Sequence, residues 1–280
     1  MTSWTHPTAC ERFLHRRTSA VHGFWRALEH ILVRIAKREG RGNGLAGDAR
    51  IAAVLPEHGL LPDLRSAVAV AAPGYYRYVA AGTIEPHRAE VRSLSRDGVR
   101  LSNGEELPAD VLLLSVGSLT PRFPFLDDAV RALLESEDDG VQLYRHVVHP
   151  RLPHLGFAGF NHGFMHVPSA EIGALWLAAL WRGDLTLPPV EQMERDVEHV
   201  RSWKRANIHF EPSRACAVNT RFQQYNDIML ADLGVTPYRK LPNVLAEIFA
   251  PYKPADYTRV VDDYLRRPSG MPRVPVSLPT

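Results

Sequence analysis

Histidine and cysteine side chains give this sequence its clearest capacity for metal binding or nucleophilic chemistry. Five histidines fall in one short region: His146, His149, His154, His162 and His166. The last two have the spacing of a zinc-binding H-E-x-x-H helix, but Gly163 replaces the glutamate, and Gly163 and Pro168 argue against a helix there. Cys216 has no recognisable base partner. We therefore expect solvated or hydrogen-bonded histidines, no metal site and no catalytic side chain.

Three glycines, Gly42, Gly44 and Gly47, match the G-x-G-x-x-G spacing of a dinucleotide-binding turn. In such a turn the glycines permit a tight bend from strand to helix, and the helix N-terminus holds the pyrophosphate. Here residues 31–39 continue a helical pattern instead of a buried strand, and residues 48–55 form no clear helix. Because the motif needs a strand-turn-helix context, we expect residues 40–47 to be a loop without a phosphate cradle.

The composition is typical of a soluble globular protein and excludes several other classes. The 280 residues are 45% apolar and 23% charged, and the net charge of +2 gives no electrostatic case for nucleic-acid binding. No apolar run reaches the roughly 18 residues of a membrane-spanning helix. The first ten residues lack the apolar region of a secretory signal, and only two cysteines are present. A cytoplasmic location is therefore expected.

The first fifty residues are basic, with nine Lys and Arg against four Asp and Glu, and they contain one amphipathic helical pattern. Its apolar positions recur at spacings of three and four: Val21, Phe24, Trp25, Leu28, Ile31, Leu32 and Ile35. We expect a helix whose apolar face packs on the core and whose arginines face solvent. The alternative is a basic helix that lies on a membrane surface as a peripheral contact.

Residues 83–117 have the pattern of β structure. Residues 83–87 and 91–94 are predicted strands, and Asp97-Gly98 and Asn103-Gly104 are hairpin turn signals. The segment 110–117, DVLLLSVG, then has four consecutive apolar residues closed by small residues. This pattern predicts a strand buried on both faces, as in a parallel sheet. Its terminal Gly117 would let the backbone approach a ligand closely.

The second half of the chain is predicted to be mainly helical. Residues 155–160 form a further strand candidate, and Ser169 has the position of an N-cap before the apolar helix 175–181. Helical patterns follow at 190–206, 222–233, 241–249 and 255–266, and the proline-rich residues 271–280 indicate a disordered tail. The predicted fold class is therefore α/β: a β-hairpin plus buried strands, followed by a mainly helical C-terminal part.

Five motifs, in the same order along the chain, resemble those of flavin-containing monooxygenases. DVLLLSVGSLTPRFPFL at 110–126 is similar to the D-V-(apolar)₃-A-T-G…P-F-L segment of that family, and LYRHVVHP at 143–150 to its LYK…P strand. LGFAGFNHGFMHVPSAEIGALWLAALWRGDLTLP at 155–188 resembles its next block. Tyr225-Asn226-Asp227 with Leu233-Gly234 and Pro237, and APYKPADY at 250–257, resemble the two C-terminal motifs. The resemblance covers roughly residues 51–266.

The resemblance implies an oxidoreductase that uses FAD and NADPH. In the family NADPH reduces FAD, O₂ forms a flavin C4a-hydroperoxide, and one oxygen atom passes to a small organic nucleophile or a ketone. It implies that Ser115, Val116 and Gly117 pass near the flavin dinucleotide. It also implies that Gly159, Asn161 and Gly163 lie near the isoalloxazine. Pro168 and Ser169 would then open the following helix.

Both dinucleotide fingerprints of the family are missing, so the chain resembles the C-terminal portion of an incomplete two-dinucleotide-binding-domain scaffold. Residues 1–50 would be the remnant of the nicotinamide-domain insert, and residues 51–270 the returning part of the FAD-binding domain. We expect an isolated chain that is catalytically incomplete, either truncated or one half of a split enzyme. In the second case, a second polypeptide supplies the N-terminal FAD-binding half. The alternative is a non-catalytic binding protein that retains only the scaffold.

Overall fold

A computed structural model describes residues 18–40, 44–55, 72–115, 119–163, 165–208, 212, 214–219, 222–268, 270 and 272–276. These residues divide into two compact units. The N-terminal unit holds most of the first helix and the described residues up to Ser115. The C-terminal unit holds those from Leu119 onward.

The N-terminal unit contains three helices and one small sheet. The helices are α1 (Thr18–Gly40), α2 (Gly44–Val54) and α3 (Tyr75–Ala81). The sheet is antiparallel in the order β1 (Val91–Leu94), β2 (Gly98–Leu101) and β3 (Glu106–Pro108). Both predicted hairpin turns are confirmed, and Gly104 adopts the left-handed conformation that favours glycine there (φ 88°). Residues 83–87, predicted as a strand, are outside the sheet.

Two of the three glycines of the possible dinucleotide motif, Gly44 and Gly47, lie inside a helix. Helix α1 ends at Gly40, and α2 begins at Gly44 and contains Gly47. The predicted loop therefore does not extend past residue 43, and residues 48–54 are helical where no clear helix was expected. Gly42 lies outside the described residues. A dinucleotide-binding turn needs a preceding strand, so this arrangement agrees with the expectation that no phosphate cradle forms here.

Two apolar segments of the N-terminal unit are exposed where burial was predicted. Val111 is 75% exposed and Leu113 85%, and residues 111–115 belong to no strand of the described structure. The prediction of a strand buried on both faces is wrong because no described strand pairs with this segment. Helix α1 is confirmed, but Ile31 (53%) and Ile35 (52%) face outward, so the core-facing prediction fails at these positions. Contact of α1 with a membrane surface stays a prediction.

The C-terminal unit consists of helices around two short sheets. Its helices are α4 (Asp128–Leu134), α5 (His166–Trp181), α6 (Val190–Asn207), α7 (Phe222–Leu233), α8 (Val244–Phe249) and α9 (Val260–Arg266), with 3₁₀ turns at Arg214–Cys216 and Pro254–Tyr257. Strands β4 (Val148–His149) and β5 (Leu152–Gly156) pair antiparallel; β6 (His162–Gly163) and β7 (Ala217–Asn219) pair parallel.

Helices α5 and α7 pack together and form the main core. Helix α5 is apolar around its circumference, as the sequence predicts for a helix buried on several sides, and Trp176 is fully buried. Helix α7 buries Met229 and Leu230 beside it. The predicted helices at 190–206 and 222–233 are confirmed almost to the residue. Residues 241–249 and 255–266 contain shorter helices than predicted.

The C-terminal residues 272–276 pack on this core instead of fraying. The backbone N–H of Arg273 donates to the carbonyl of Asp184 over 3.0 Å, and that of Thr186 donates to the carbonyl of Arg273 over 2.9 Å. The backbone N–H of Val276 donates to the carboxylate of Asp232 over 2.7 Å. These bonds fix a segment that its proline content alone would place in the tail.

Candidate functional site

The predicted site residues of the C-terminal unit lie on one strand-loop-helix segment. Gly159 has a left-handed backbone (φ 85°), and an added Cβ atom there would meet nothing closer than 4.0 Å. The chain then enters β6, which pairs with β7, and α5 begins at His166. Pro168 lies in the first turn of α5, where a proline costs no helical hydrogen bond. The structure therefore brings Gly159, Asn161, Gly163, Pro168 and Ser169 together.

The sequence predicted that Ser169 caps helix α5, and this prediction is wrong. The helix begins three residues earlier, so Ser169 is already inside it. Its hydroxyl donates to the side-chain oxygen of Asn226 on α7 over 2.9 Å. Ser169 thereby joins α5 to α7, because the serine and the asparagine are both fully buried.

Asn161 is the centre of a buried hydrogen-bond network. Its side-chain nitrogen donates to the Tyr225 hydroxyl over 2.9 Å and to the backbone carbonyl of Ser169 over 2.8 Å. Burial raises the pKa of the Tyr225 phenol, so this hydroxyl stays neutral. Gly173 makes room for the pair: a Cβ atom there would lie 3.2 Å from Asn161 Nδ2 and 3.3 Å from the Tyr225 hydroxyl.

Two atoms of this network have no hydrogen-bond partner among the described residues. They are Oδ1 of Asn161 and Nδ2 of Asn226, both on fully buried side chains. A buried polar atom without a partner costs free energy, so such atoms mark a place where a ligand or a water completes the structure. The hydrogen bonds of Asn161 and Ser169 fix the loop to the core through side chains. The loop backbone at Gly159 and Gly163 is partly exposed.

The predicted site residues Ser115, Val116 and Gly117 belong to the N-terminal unit. Ser115 is exposed at the end of the unpaired segment 111–115. Val116 and Gly117 lie outside the described residues. Ser115 and the loop at 159–163 belong to different units.

The histidines do not assemble into a metal site within the described part of the chain, where no group of three metal-binding side chains is found. His162 lies in β6 and His166 opens α5, so they do not share one helical face. Burial, together with the charges of Lys204 and His166, lowers the pKa of His162. Burial raises the pKa of Cys216 to about 11, which makes its thiol a poor nucleophile at neutral pH.

Sequence reasoning missed a buried ion pair behind the site. Arg145 Nε donates to Asp232 Oδ2 over 2.9 Å, and the indole nitrogen of Trp176 donates to the same oxygen over 3.0 Å. Arg145 and His146 both have left-handed backbones, with φ of 55° and 58°. Non-glycine residues rarely adopt this conformation, so the turn costs conformational energy that the buried pair offsets. Arg145 lies in LYRHVVHP, and Tyr225 and Asn226 lie in a second motif that the resemblance singled out, but nothing in the sequence pairs Arg145 with Asp232.

A family model and individual known proteins that match this chain all name flavin-dependent monooxygenases. A family model described as FMO-like, flavin-binding monooxygenase-like, matches residues 78–251. The protein named "Probable flavin-containing monooxygenase 1" from Arabidopsis thaliana is 26% identical over 206 residues, which are 72% of this chain and 38% of that protein. "FAD-dependent monooxygenase DEP4" from Alternaria brassicicola is 26% identical over 242 residues, 69% of this chain and 42% of that protein.

A mammalian protein also matches. "Flavin-containing monooxygenase 1" from Mus musculus is 28% identical over 155 residues, which are 54% of this chain and 28% of that protein. The chain thus spans about two fifths or less of the length of these relatives. No helix in the described residues is both long enough and apolar enough to cross a membrane.

Proposed function

The chain belongs to the flavin-binding monooxygenase-like family, and we propose that it forms part of an FAD-dependent monooxygenase that oxygenates a small organic nucleophile or a ketone, with NADPH as the reductant. The family match over residues 78–251 carries this proposal, because it includes the whole strand-loop-helix segment from Gly159 to Ser169. The relatives are more than twice as long as their matched parts. In this proposal the chain is therefore one part of the active protein.

The residues of the loop fit a flavin that contacts their backbone. Gly159 has open space where a side chain would stand, and Asn161 Oδ1 is a buried acceptor without a described partner. In this proposal Gly159, Asn161 and Gly163 lie at the flavin ring, and Pro168 and Ser169 fix the start of α5. Bound FAD supplies the oxygen-transfer chemistry. In this proposal the chain orients the ring through the loop backbone.

A flavin-binding measurement with a matched pair of glycine variants tests this proposal. The purified chain is mixed with FAD and a separately produced FAD-binding half, the mixture is desalted, and retained flavin is read from its visible absorbance. Gly159→Leu places a side chain on the loop and is expected to reduce retention at least tenfold. Gly183→Leu is the control, because Gly183 has the same left-handed backbone (φ 80°) and open surroundings but follows α5. Equal retention by both variants would remove the loop from the flavin site.

We also propose that a second polypeptide supplies the N-terminal FAD-binding half. Residues 111–114 are apolar and exposed, as an inner strand of a sheet would be without its neighbours. The matched part of the relatives is 38% and 42% of their length, which leaves room for the missing half elsewhere. In this proposal the segment 111–114 pairs with a strand of that half, and the phosphate cradle lies on the partner.

Hydrogen exchange tests the split arrangement. The chain is mixed with a separately produced FAD-binding half that contains a strand and a G-x-G-x-x-G turn, and exchange at Leu112, Leu113 and Leu114 is followed. Pairing is expected to slow their exchange at least tenfold, because paired backbone amides are protected. Unchanged exchange, together with a failure of the two polypeptides to co-purify, would contradict the arrangement.

A non-catalytic binding protein is the second candidate. The motif at Gly42–Gly47 has no preceding strand, which favours this candidate because FAD then has no phosphate cradle in the described part of the chain. A colourless, soluble chain that retains no flavin, either alone or with an added FAD-binding half, would support it over the enzyme.

A further inference from the structure

A cavity of about 80 Å³ lies in the C-terminal unit beside the predicted flavin loop. Helices α6 and α7 and strand β7 line it, together with the turn at Arg145 and His146. Most of the lining is aliphatic or aromatic, as Val200, Val218 and Ile228 illustrate. Exposed His199 also belongs to the lining, so the cavity reaches the surface of the protein. A largely apolar cavity of this volume that opens to the surface admits only a small ligand of a few heavy atoms.

Lys204 brings a buried amine to this cavity. The residue is only 4% exposed, and its Nζ donates to the carbonyl of Ala215 over 2.7 Å and lies 3.4 Å from His146 Nε2. The charge of Lys204 also acts on its surroundings, because it contributes to the lowered pKa of His162. A ligand carboxylate within reach of this ammonium would form a charge-assisted hydrogen bond.

The acidic member of the lining lies away from Lys204. Asp196 is two turns nearer the start of α6, roughly 12 Å along the helix axis. Its Oδ2 is buried without a hydrogen-bond partner among the described residues, and burial raises its pKa. The charges of Arg145 and Arg195 oppose this rise, and the charge of Asp232 adds to it. The distance between Asp196 and Lys204 limits the repulsion that Asp196 exerts on an anion held at Lys204.

The turn that carries His146 is held in an unfavourable conformation. The left-handed backbone at Arg145 and His146 persists because Arg145 is fixed to Asp232, and it leaves His146 on the cavity wall, 5.7 Å from the Tyr225 ring. Such conformations concentrate at ligand sites, where the surrounding structure maintains them.

We propose that this cavity binds a small molecule with an apolar body and one carboxylate, which pairs with the Lys204 ammonium while the body lies against Val200 and Val218. The site is distinct from the predicted flavin loop and does not depend on the proposed function. It is joined to that loop, however, because Tyr225 lines the cavity and its hydroxyl accepts the hydrogen bond from Asn161.

Propionate and propionamide form a pair of probes that differ in charge and hardly in shape, and both are small enough for a cavity of this volume. Binding of each to the full chain is measured by titration calorimetry and by ligand-observed NMR. Propionate is expected to bind saturably, and propionamide at least tenfold more weakly, because only the carboxylate pairs with an ammonium. Absence of saturable propionate binding, or equal binding of the two probes, would overturn the proposal.

Two variants locate the binding. Val200→Phe fills the cavity and is expected to abolish propionate binding, while Lys204→Met removes the charge and is expected to weaken it at least tenfold. Lys37→Met is the matched control, since Lys37 is exposed on α1 in the other unit. Circular dichroism checks that each variant is folded. If Lys204→Met does not fold, Val200→Phe and the probe pair still decide, and propionate binding that survives Val200→Phe overturns the site.

Discussion

The side-chain amide of Asn161 donates a hydrogen bond to the Tyr225 hydroxyl inside the C-terminal unit, across 2.9 Å and 64 positions of sequence. The bond joins the predicted flavin loop to helix α7, and both side chains are buried. Because the same amide also donates to Ser169 on α5, this one side chain sets the position of the loop against both core helices.

Two tyrosine variants measure what this hydroxyl contributes. Tyr225→Phe is expected to lower the free energy of unfolding by about 1 to 2 kcal/mol, because Asn161 loses an acceptor. Tyr144→Phe is the matched comparison: the Tyr144 hydroxyl is buried without a hydrogen-bond partner among the described residues. Its removal should leave the free energy unchanged or raise it by up to about 1 kcal/mol. Urea unfolding measures both free energies. Equal losses in the two variants would show that the hydrogen bond from Asn161 contributes no net stability.

Gly173→Ala should destabilise the protein, although the same change stabilises an ordinary helix. The new methyl group would lie 3.2 Å from Asn161 Nδ2, which is held by two hydrogen bonds and cannot move freely. The expected cost is about 1 to 3 kcal/mol from overpacking. Gly23→Ala in α1 is the control, because its Cβ atom would meet nothing within 4 Å, and a gain of about 1 kcal/mol is expected there. Thermal unfolding distinguishes the two, and a stabilised Gly173→Ala would contradict the packing.

Asp139 should make the stability of the C-terminal unit depend on acidic pH. Burial alone would raise the pKa of this carboxyl, but hydrogen bonds from Arg205 and Arg214 outweigh that effect and hold it below the ordinary value of 3.8. A lowered pKa in the folded state contributes stability that is present above the unfolded value and is lost as the pH falls through the folded value. Acidification below about pH 4 should therefore remove this contribution.

The variant Asp139→Asn isolates that contribution. At pH 7 it is expected to unfold with about 2 kcal/mol less free energy than the unmodified chain, because two arginines lose their charged partner. The difference should shrink as the pH is lowered from 5 to 2 in a series of urea titrations. Glu171→Gln, at an exposed position of α5, is the control and should show no such difference. A difference in free energy of unfolding that stays constant with pH would contradict a lowered pKa of Asp139 in the folded state.

Leu113→Lys tests whether the segment 111–114 is uncovered in the isolated chain. Because Leu113 is 85% exposed, the change should alter the free energy of unfolding by less than about 0.5 kcal/mol. It should also reduce concentration-dependent association, which light scattering measures. Leu101→Lys is the contrast, since Leu101 is 5% exposed in β2 and its loss should unfold the N-terminal unit. A large destabilisation by Leu113→Lys would mean that the segment is covered in solution.

Local sequence patterns by themselves determined the hairpin turns, helices α6 and α7 and the family. A turn dipeptide or a helical period acts between residues that are near in sequence, so Asn103-Gly104 and residues 222–233 were predicted correctly. Only the tertiary structure decided which side chains meet or face solvent. Ser169 bonds to Asn226 instead of capping α5, because packing of α5 on α7 brings together residues 57 positions apart. The apolar pattern of 111–114 predicted burial, but burial needs neighbouring strands, and none pairs with it in the described structure.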